Sequence, residues 1–396
     1  MQLRALTLAI ATLAASATLT GLPAHAATPA AAAATASAVD AKAVAAHYAT
    51  LVHASYSDTL AAAKDMQAAI AAFVAAPSAE GLDKARKAWL AGREFYGQTE
   101  AFRFYSGPID DDKGPEGQIN AWPLDEAYVD YVTGKPKAGL VNTPKFKITK
   151  AALAKANERG GEENISAGWH AVEFLLWGQD QSETGPGNRS FEDYVKGKGE
   201  NAERRAMYLT VATELLVDDL SAMAAAWAPG AKNYRAKFEK GGKESVRKII
   251  VGLGSLSRGE LAGERMEVAL NSQDQEDEHS CFSDNTHRDV VNNAKGIQNV
   301  WLGQYTRRDG SKLEGPGVRD LVAAKNPALA EKTSAQLALS VSSAEAIPAP
   351  FDRAIAKGAA GRPAIEKTIE SLVAQSKLLV ESASAVGIAK LTLVEP

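Results

Sequence analysis

His170 and Glu173 stand three residues apart in the stretch Gly168-Trp169-His170-Ala171-Val172-Glu173-Phe174-Leu175-Leu176-Trp177-Gly178. On a helix both side chains leave the same face and can converge on one ion. Trp169, Val172, Phe174, Leu175, Leu176 and Trp177 surround the pair with apolar bulk. An imidazole and a carboxylate are costly to bury there without a partner or a metal. The spacing alone fits a hydrogen-bonded structural pair as well as a pair of ligands.

A second concentration of chemistry runs from Asp274 to Asp289, where Asp274, Glu276, Asp277, Glu278, His279, Asp284, His287 and Asp289 fall within 16 residues. It lacks the alternating spacing and turn glycine of an EF-hand loop. We expect His279, Asp284 and His287 to line a cleft opposite the His170 helix. Nucleophilic catalysis finds little support: the one thiol, Cys281, fits a buried apolar role, and Gly-x-Ser-x-Gly is absent. Zinc hydrolase signatures fail too. His-Glu-x-x-His is missing, and Phe174 stands where the inverted motif needs its second histidine.

The elements that must position these residues read as helices. Val44, Tyr48, Leu51, Val52, Tyr56, Leu60, Met66, Ile70 and Phe73 recur mostly at three- and four-residue steps, with Pro77 ending the run and Ser78 capping the next. From Leu82 to about Phe104, Arg86, Trp89, Arg93, Tyr96, Glu100 and Arg103 form one stripe. Its mixture of charge and aromatics suggests a polar interior, with a surface ion-pair ladder as the alternative. After a loop broken by Gly107-Pro108 and Gly114-Pro115, Trp122-Pro123 leads into a short helix from Leu124 to Val132, followed by a basic connector. Further helices are expected over Ile165 to Trp177, Ala202 to Trp227, Lys243 to Leu270, Arg288 to Leu302 and Pro363 to Ala385. Gly252, Gly254, Gly259 and Gly263 in the helix over Lys243 to Leu270 allow close approach of a neighbour. No segment shows strand alternation.

Two segments echo each other. His170 to Gln179 aligns with Lys295 to Gln304, each followed by Gly-Pro-Gly, at Gly185 to Gly187 and Gly315 to Gly317. Phe191 to Val195 then pairs with Val318 to Val322. Duplication of a helical unit predicts two bundle halves related by a pseudo-twofold, with a cleft between them. The second copy carries Lys295 and Gln298 where the first has His170 and Glu173, so chemistry belongs to the first.

The amino terminus reads as an export signal: Arg4, a weakly apolar run from Ala5 to Thr20, and Ala24-His25-Ala26 as the cleavage site. The run is too short and too rich in Thr, Ser and Ala for a bilayer span of about 20 residues, and no cysteine near the site could accept a lipid. The expected organisation is a signal peptide over 1–26, an Ala-rich flexible lead over 27–38, a first helical half over 39–230 and a second over 231–396. With 45% hydrophobic residues and one cysteine, the exported chain is held by its core rather than by an internal disulfide. A formal net charge of −4 without a long basic tract argues against a nucleic-acid partner.

Gly168-x-His170-x-x-Glu173 resembles the signature of the imelysin family, which includes the iron-regulated protein A group, the insulin-cleaving membrane protease group and the metal-binding domain of Efe iron uptake. Thr99 to Asp110, and Gly263 to Leu270 running on to His279 through His287, extend the resemblance over nearly the whole exported chain. It implies an all-α fold of two duplicated halves in the periplasm. It also implies that Glu100 and Asp125 join His170 and Glu173 as metal ligands, although Glu100 could instead pair with Arg93 or Arg103. The Asp125 match is the looser, because the loop before it is longer and differently composed. Arg93, Arg103 and Trp122 are further cleft-lining candidates. One imidazole with three carboxylates suits iron, manganese or zinc, and the family context favours iron. The expected function is periplasmic iron handling, with a metal ion or metal chelate as ligand and an iron-transport protein as a possible partner. A zinc-dependent metallopeptidase and a non-catalytic module binding a polymer or protein are the alternatives.

Overall fold

The computed structural model describes residues 39–389 and 391–393. The expected signal peptide and Ala-rich lead lie outside the described residues. Helix α1 (Ala41–Ala75) starts where the Asp40 carboxylate accepts the Ala43 N–H at 2.8 Å, and it buries Val44, Tyr48, Leu51, Val52, Met66, Ile70 and Phe73. Ser78 caps α2 (Ala79–Thr99) in the same way. A 3-10 turn, Glu100–Phe102, ends α2 earlier than the stripe suggested. The reason is local: Asp110 takes the N–H groups of Phe104 and Gly107, and Phe104 turns into the left-handed region at φ 71°.

The other long helices are α3 (Gly168–Trp177), α4 (Ala202–Ala226), α5 (Lys243–Ser255), α6 (Thr286–Leu302), α7 (Pro327–Glu345) and α8 (Arg362–Ala385). Helix α2 packs against α1, α3 and α6, so it lies between the early and late helices; α4 covers α1 and α3, while α7 and α8 pack together, α7 on α6 and α8 on α5. Among the described residues the fold is all-α apart from one antiparallel hairpin, Gln304–Thr306 with Lys312–Glu314.

The structure corrects several expectations. Helix α7 was not anticipated, although Asn326 caps it and Pro327 occupies its first turn. Its Ala- and Ser-rich sequence blurs the apolar stripe of Leu329, Thr333, Leu337 and Val341. The basic connector contains a short helix, Lys150–Ala156, capped by Thr149. The helix expected over 124–132 shrinks to Glu126–Val129, because Asp125 caps it and Asp130 is drawn away to Arg189 and Arg205. The hairpin strands are too short for alternation to be visible. Beyond α5 the helix continues as a π-helix, Leu256–Glu267. Within α5 itself, Gly252 admits the Arg103 carbonyl, whose oxygen would lie 2.8 Å from an added Cβ.

The repeated segments share local geometry. Gly178 and Gly303 end α3 and α6 at φ 71° and 69°. In each copy the second glycine of Gly-Pro-Gly sits against that helix end: an added Cβ would lie 2.8 Å from the Trp177 carbonyl oxygen at Gly187, and 2.4 Å from that of Trp301 at Gly317.

Candidate functional site

Gly168 shows why the signature begins with glycine. It takes φ 84°, and a Cβ there would lie 2.5 Å from the carbonyl oxygen of Ile119. This close approach brings the loop carrying Asn120 against the start of α3. Trp169 is fixed behind it, its carbonyl accepting from the Trp89 indole at 3.0 Å. His170 and Glu173 are then fully enclosed, at 2% and 0% exposure.

The pair is joined directly: His170 Nδ1 lies 2.8 Å from Glu173 Oε2. The other carboxylate oxygen, Oε1, accepts from the backbone N–H and hydroxyl of Ser283, at 3.0 and 2.7 Å. Nε2 of His170 is buried without a hydrogen-bond partner. Burial pushes the Glu173 carboxyl up to about 8, with Ser283 opposing. Burial also pushes His170 well below the usual imidazole range, helped by His279 and Arg93.

The His279 ring packs edge-on to that of His170, centroids 4.7 Å apart, and also against Trp122 at 5.6 Å. Its Nδ1 lies 3.0 Å from Asp289 Oδ2 and its Nε2 lies 3.3 Å from Asn120 Nδ2. A proton on Nδ1 satisfies both contacts, donating to Asp289 and accepting from Asn120. Burial and Arg265 lower His279 to about 4, so the ring is neutral. Arg93 closes the group: its guanidinium reaches Asp289 at 3.1 Å and Asn120 at 2.6 Å, and lies over Trp89, Tyr96 and Trp169. Burial alone would raise Asp289, but Arg93 and His279 hold it far below the carboxylate range. The α2 stripe thus lines a polar interior from Trp89 to Arg103.

Glu100 lies in a neighbouring charged cluster, 2.7 Å from Arg103 and 2.6 Å from Arg265, which comes from the π-helix. These two cations hold its carboxyl low despite burial. Its Oε1 has no partner. Arg103 also pairs with Glu116 at 3.1 Å, and Arg265 with Glu260 at 2.7 Å. Asp125 is exposed; it caps Ala127 and donates its N–H to the Glu163 carbonyl. Asp284 is half-buried at φ 56°, pushed up to about 7 by burial and by Asp180 and Asp352. His287 Nδ1 lies 3.1 Å from the Asp284 carbonyl oxygen.

A pocket of ≈ 390 Å³ opens beside this interior, lined by Arg103, Glu116, Asn120, Ala121, Trp122, Pro123, Glu158, Glu162, Glu163, Glu260, Glu264, Arg265 and His279. His279 and Asn120 form its inner wall, with His170 and Glu173 behind. The four expected ligands are therefore distributed: His170 with Glu173, Glu100 with its arginines, Asp125 at the exposed cap of the Glu126–Val129 helix. Among the described residues no three His, Cys, Asp or Glu side chains are arranged to hold one metal ion. What could take a cation is the buried, unpartnered Nε2, once the ring proton sits on Nδ1 and Glu173 is ionised, the arrangement of metal-ligating histidines.

The sequence singled out neither Asn120, which lies in no motif, nor Ser283 and Arg265, although these two fall within the stretches His279 to His287 and Gly263 to Leu270 that carry the resemblance.

The model of the imelysin family, also termed peptidase M75, matches residues 52–379. Iron-regulated protein A of Synechococcus elongatus is 26% identical over 303 residues, covering 76% of this chain and 74% of that protein. An iron-regulated protein A precursor from Parabacteroides distasonis superposes with TM-score 0.69 at 20% identity, over 87% of this chain and 94% of that one. An imelysin-like protein from Psychrobacter arcticum does so with TM-score 0.61 at 15% identity, over 86% and 94%. At these identities the two structures bear on the fold alone.

Proposed function

The chain belongs to the imelysin family, and from that premise we propose that it is a periplasmic iron-handling protein that takes a metal cation at the buried His170–Glu173 pair. The observation that carries this reading is the unpartnered Nε2 of His170. A buried ring nitrogen without a partner is costly, and Glu173 on the opposite nitrogen, once ionised, is the arrangement that orients an imidazole toward a metal. The relative named iron-regulated protein A supports iron as the cargo. Imidazole with carboxylate also suits manganese and zinc. Neither Glu100 nor Asp125 lines the pocket; bringing Glu100 to the ion would require it to leave Arg103 and Arg265.

Export is part of the proposal: the mature chain is expected to begin at or near Ala27. Among the described residues no helix is long and apolar enough to cross a membrane.

The metallopeptidase reading has one feature in its favour, the His279–Asp289 dyad facing the pocket, which could orient a water. Against it, both oxygens of Glu173 are engaged, so the signature carboxylate is not a free base. Metal analysis of protein recovered from its native compartment tests the choice. Binding predicts retained iron that His170→Ala loses. Metal-free protein, or metal-dependent peptide turnover by the pure chain, would contradict it.

A further inference from the structure

We infer that the chain holds a separate, all-oxygen cation site between the loop Asp274 to Asp289 and the short helix Phe351–Ile355, with Glu278 and Asp352 as its ligands and calcium as its ion. It does not depend on the reading of the His170–Glu173 pair. Glu278 is 1% exposed, and neither of its carboxylate oxygens has a hydrogen-bond partner. Asp352, its side chain 8% exposed, has one oxygen on Arg353 at 2.8 Å and the other, Oδ1, buried without a partner. The two orphaned carboxylates are neighbours: Asp352 is the charge that acts most strongly on Glu278.

The surrounding segments are tied together. Arg353 Nη2 donates to the Ser182 carbonyl at 2.8 Å, the Lys357 N–H donates to Gln273 Oε1 at 2.8 Å, and Gln275 Nε2 donates to Asp180. The Trp122 indole donates to the Glu278 carbonyl oxygen at 2.5 Å. Asp180 and Asp284, both half-buried, add their charge to that of Asp352 at Glu278. Against these four carboxylates stands the exposed Arg353, which pairs with Asp352 and acts on Asp180 and Asp284 from a distance.

Protonation alone does not satisfy this arrangement. Burial and Asp352 push the Glu278 carboxyl well up, and the Thr286 hydroxyl opposes them without forming a hydrogen bond of good geometry. A neutral acid there still leaves a buried donor and acceptor unmade. One ion between the two carboxylates satisfies all three oxygens. The donors are hard, with no imidazole or thiolate among them: the His279 ring is engaged by Asp289 and Asn120, and burial keeps Cys281 a thiol. Among the described residues no third side chain is arranged to join, so carbonyls and water complete the shell. Calcium accepts such a mixed, irregular oxygen shell, whereas magnesium gives up its waters reluctantly. The ion would brace the loop that delivers His279 and Ser283 to the candidate site.

Calcium titration of the chelator-treated exported chain by calorimetry tests this, with terbium luminescence sensitised by Trp122 as a second readout. One calcium per chain is expected to bind and to displace terbium. Glu278→Gln and Asp352→Asn should each weaken calcium by about tenfold or more. Arg353→Gln, an exposed change, removes a competing cation and should tighten calcium at low salt. His170→Ala should bind calcium as the wild type does. Calcium should also raise the thermal midpoint of the wild type and leave that of Glu278→Gln where it was. A wild type that takes up no calcium saturably, a folded Glu278→Gln that binds it as the wild type does, or an Arg353→Gln whose affinity is unchanged at low salt would overturn the site and leave iron at His170 standing. Loss of calcium in His170→Ala would place the ion at that pair and overturn the separate site as well.

Discussion

Nδ1 of His170 lies 2.8 Å from Oε2 of Glu173, and Ser283 holds the other oxygen of that carboxylate from both its N–H and its hydroxyl. With Glu173 pushed up to about 8 and His170 pushed down, the pair at neutral pH is a carboxylic acid donating to a neutral ring. The ring N–H then sits on Nε2. A cation taken at Nε2 needs that nitrogen bare, so the ring proton must move to Nδ1 and Glu173 must ionise. Metal binding is therefore expected to release about one proton below pH 8 and none well above it, with affinity rising about tenfold per pH unit up to that point. Calorimetry in buffers of different ionisation enthalpy measures the release; binding without proton release at pH 7 would show that the pair is already ionised.

Stability should follow the same carboxyl. An unfolded Glu titrates near 4.5, so between about 4.5 and about 8 the folded chain holds a proton on Glu173 that the unfolded chain has lost. Stability falls as pH rises across that window, and Asp284, pushed up to about 7, adds in the same direction. Asp289 and Glu100 act oppositely: their stabilisation is present above the ordinary carboxylate range and is lost as pH falls through their lowered values. Urea midpoints from pH 4 to pH 9 should peak in the mildly acidic range, and Glu173→Gln should flatten the limb above it. A wild-type curve that climbs steadily from pH 5 to pH 8 would contradict this.

Arg93 is wholly buried and neutralises Asp289 while bridging Asn120. Arg93→Met leaves that carboxylate uncompensated and should cost about 3 to 5 kcal/mol in chemical denaturation. Arg93→Lys should recover little of it, since one ammonium cannot reach Asp289 and Asn120 and also stack on three rings. Full recovery by lysine would reduce Arg93 to a point charge.

Gly168→Ala combines a left-handed backbone with a 2.5 Å clash against Ile119. The expected loss is roughly 2 kcal/mol, together with displacement of the Asn120 loop and a changed Trp122 emission. Wild-type stability would mean that the loop moves freely.

Much of the architecture was legible because long helices write their periodicity into sequence: α1 and α2 follow their apolar and charged stripes closely. The His170–Glu173 pairing was legible for the same reason. Helix α7 was not, because alanine and serine bury well without standing out as apolar. The π-helix over 256–267 has no residue signature, yet it delivers Arg265 to Glu100 and so separates Glu100 from the pair it was expected to join. Ser283 and Asn120 act through hydrogen bonds to residues distant in sequence, which no spacing rule reaches. The Gly-Pro-Gly loops seated on the ends of α3 and α6 support the proposed duplication, which would be tested by superposing the two halves on those helices.

The most direct test is the metal affinity of Glu173→Gln beside His170→Ala, measured by calorimetry with ferrous ion under anaerobic conditions. Glutamine keeps the shape of the protonated acid: its oxygen can still accept from Ser283, and its amide donates to His170 Nδ1, fixing the ring proton on Nε2. Both variants should remain helical with cooperative unfolding, and both should lose at least a hundredfold in affinity. If Glu173→Gln binds ferrous ion as tightly as the wild type, or if His170→Ala does, then the His170–Glu173 pair is structural and the metal is held elsewhere.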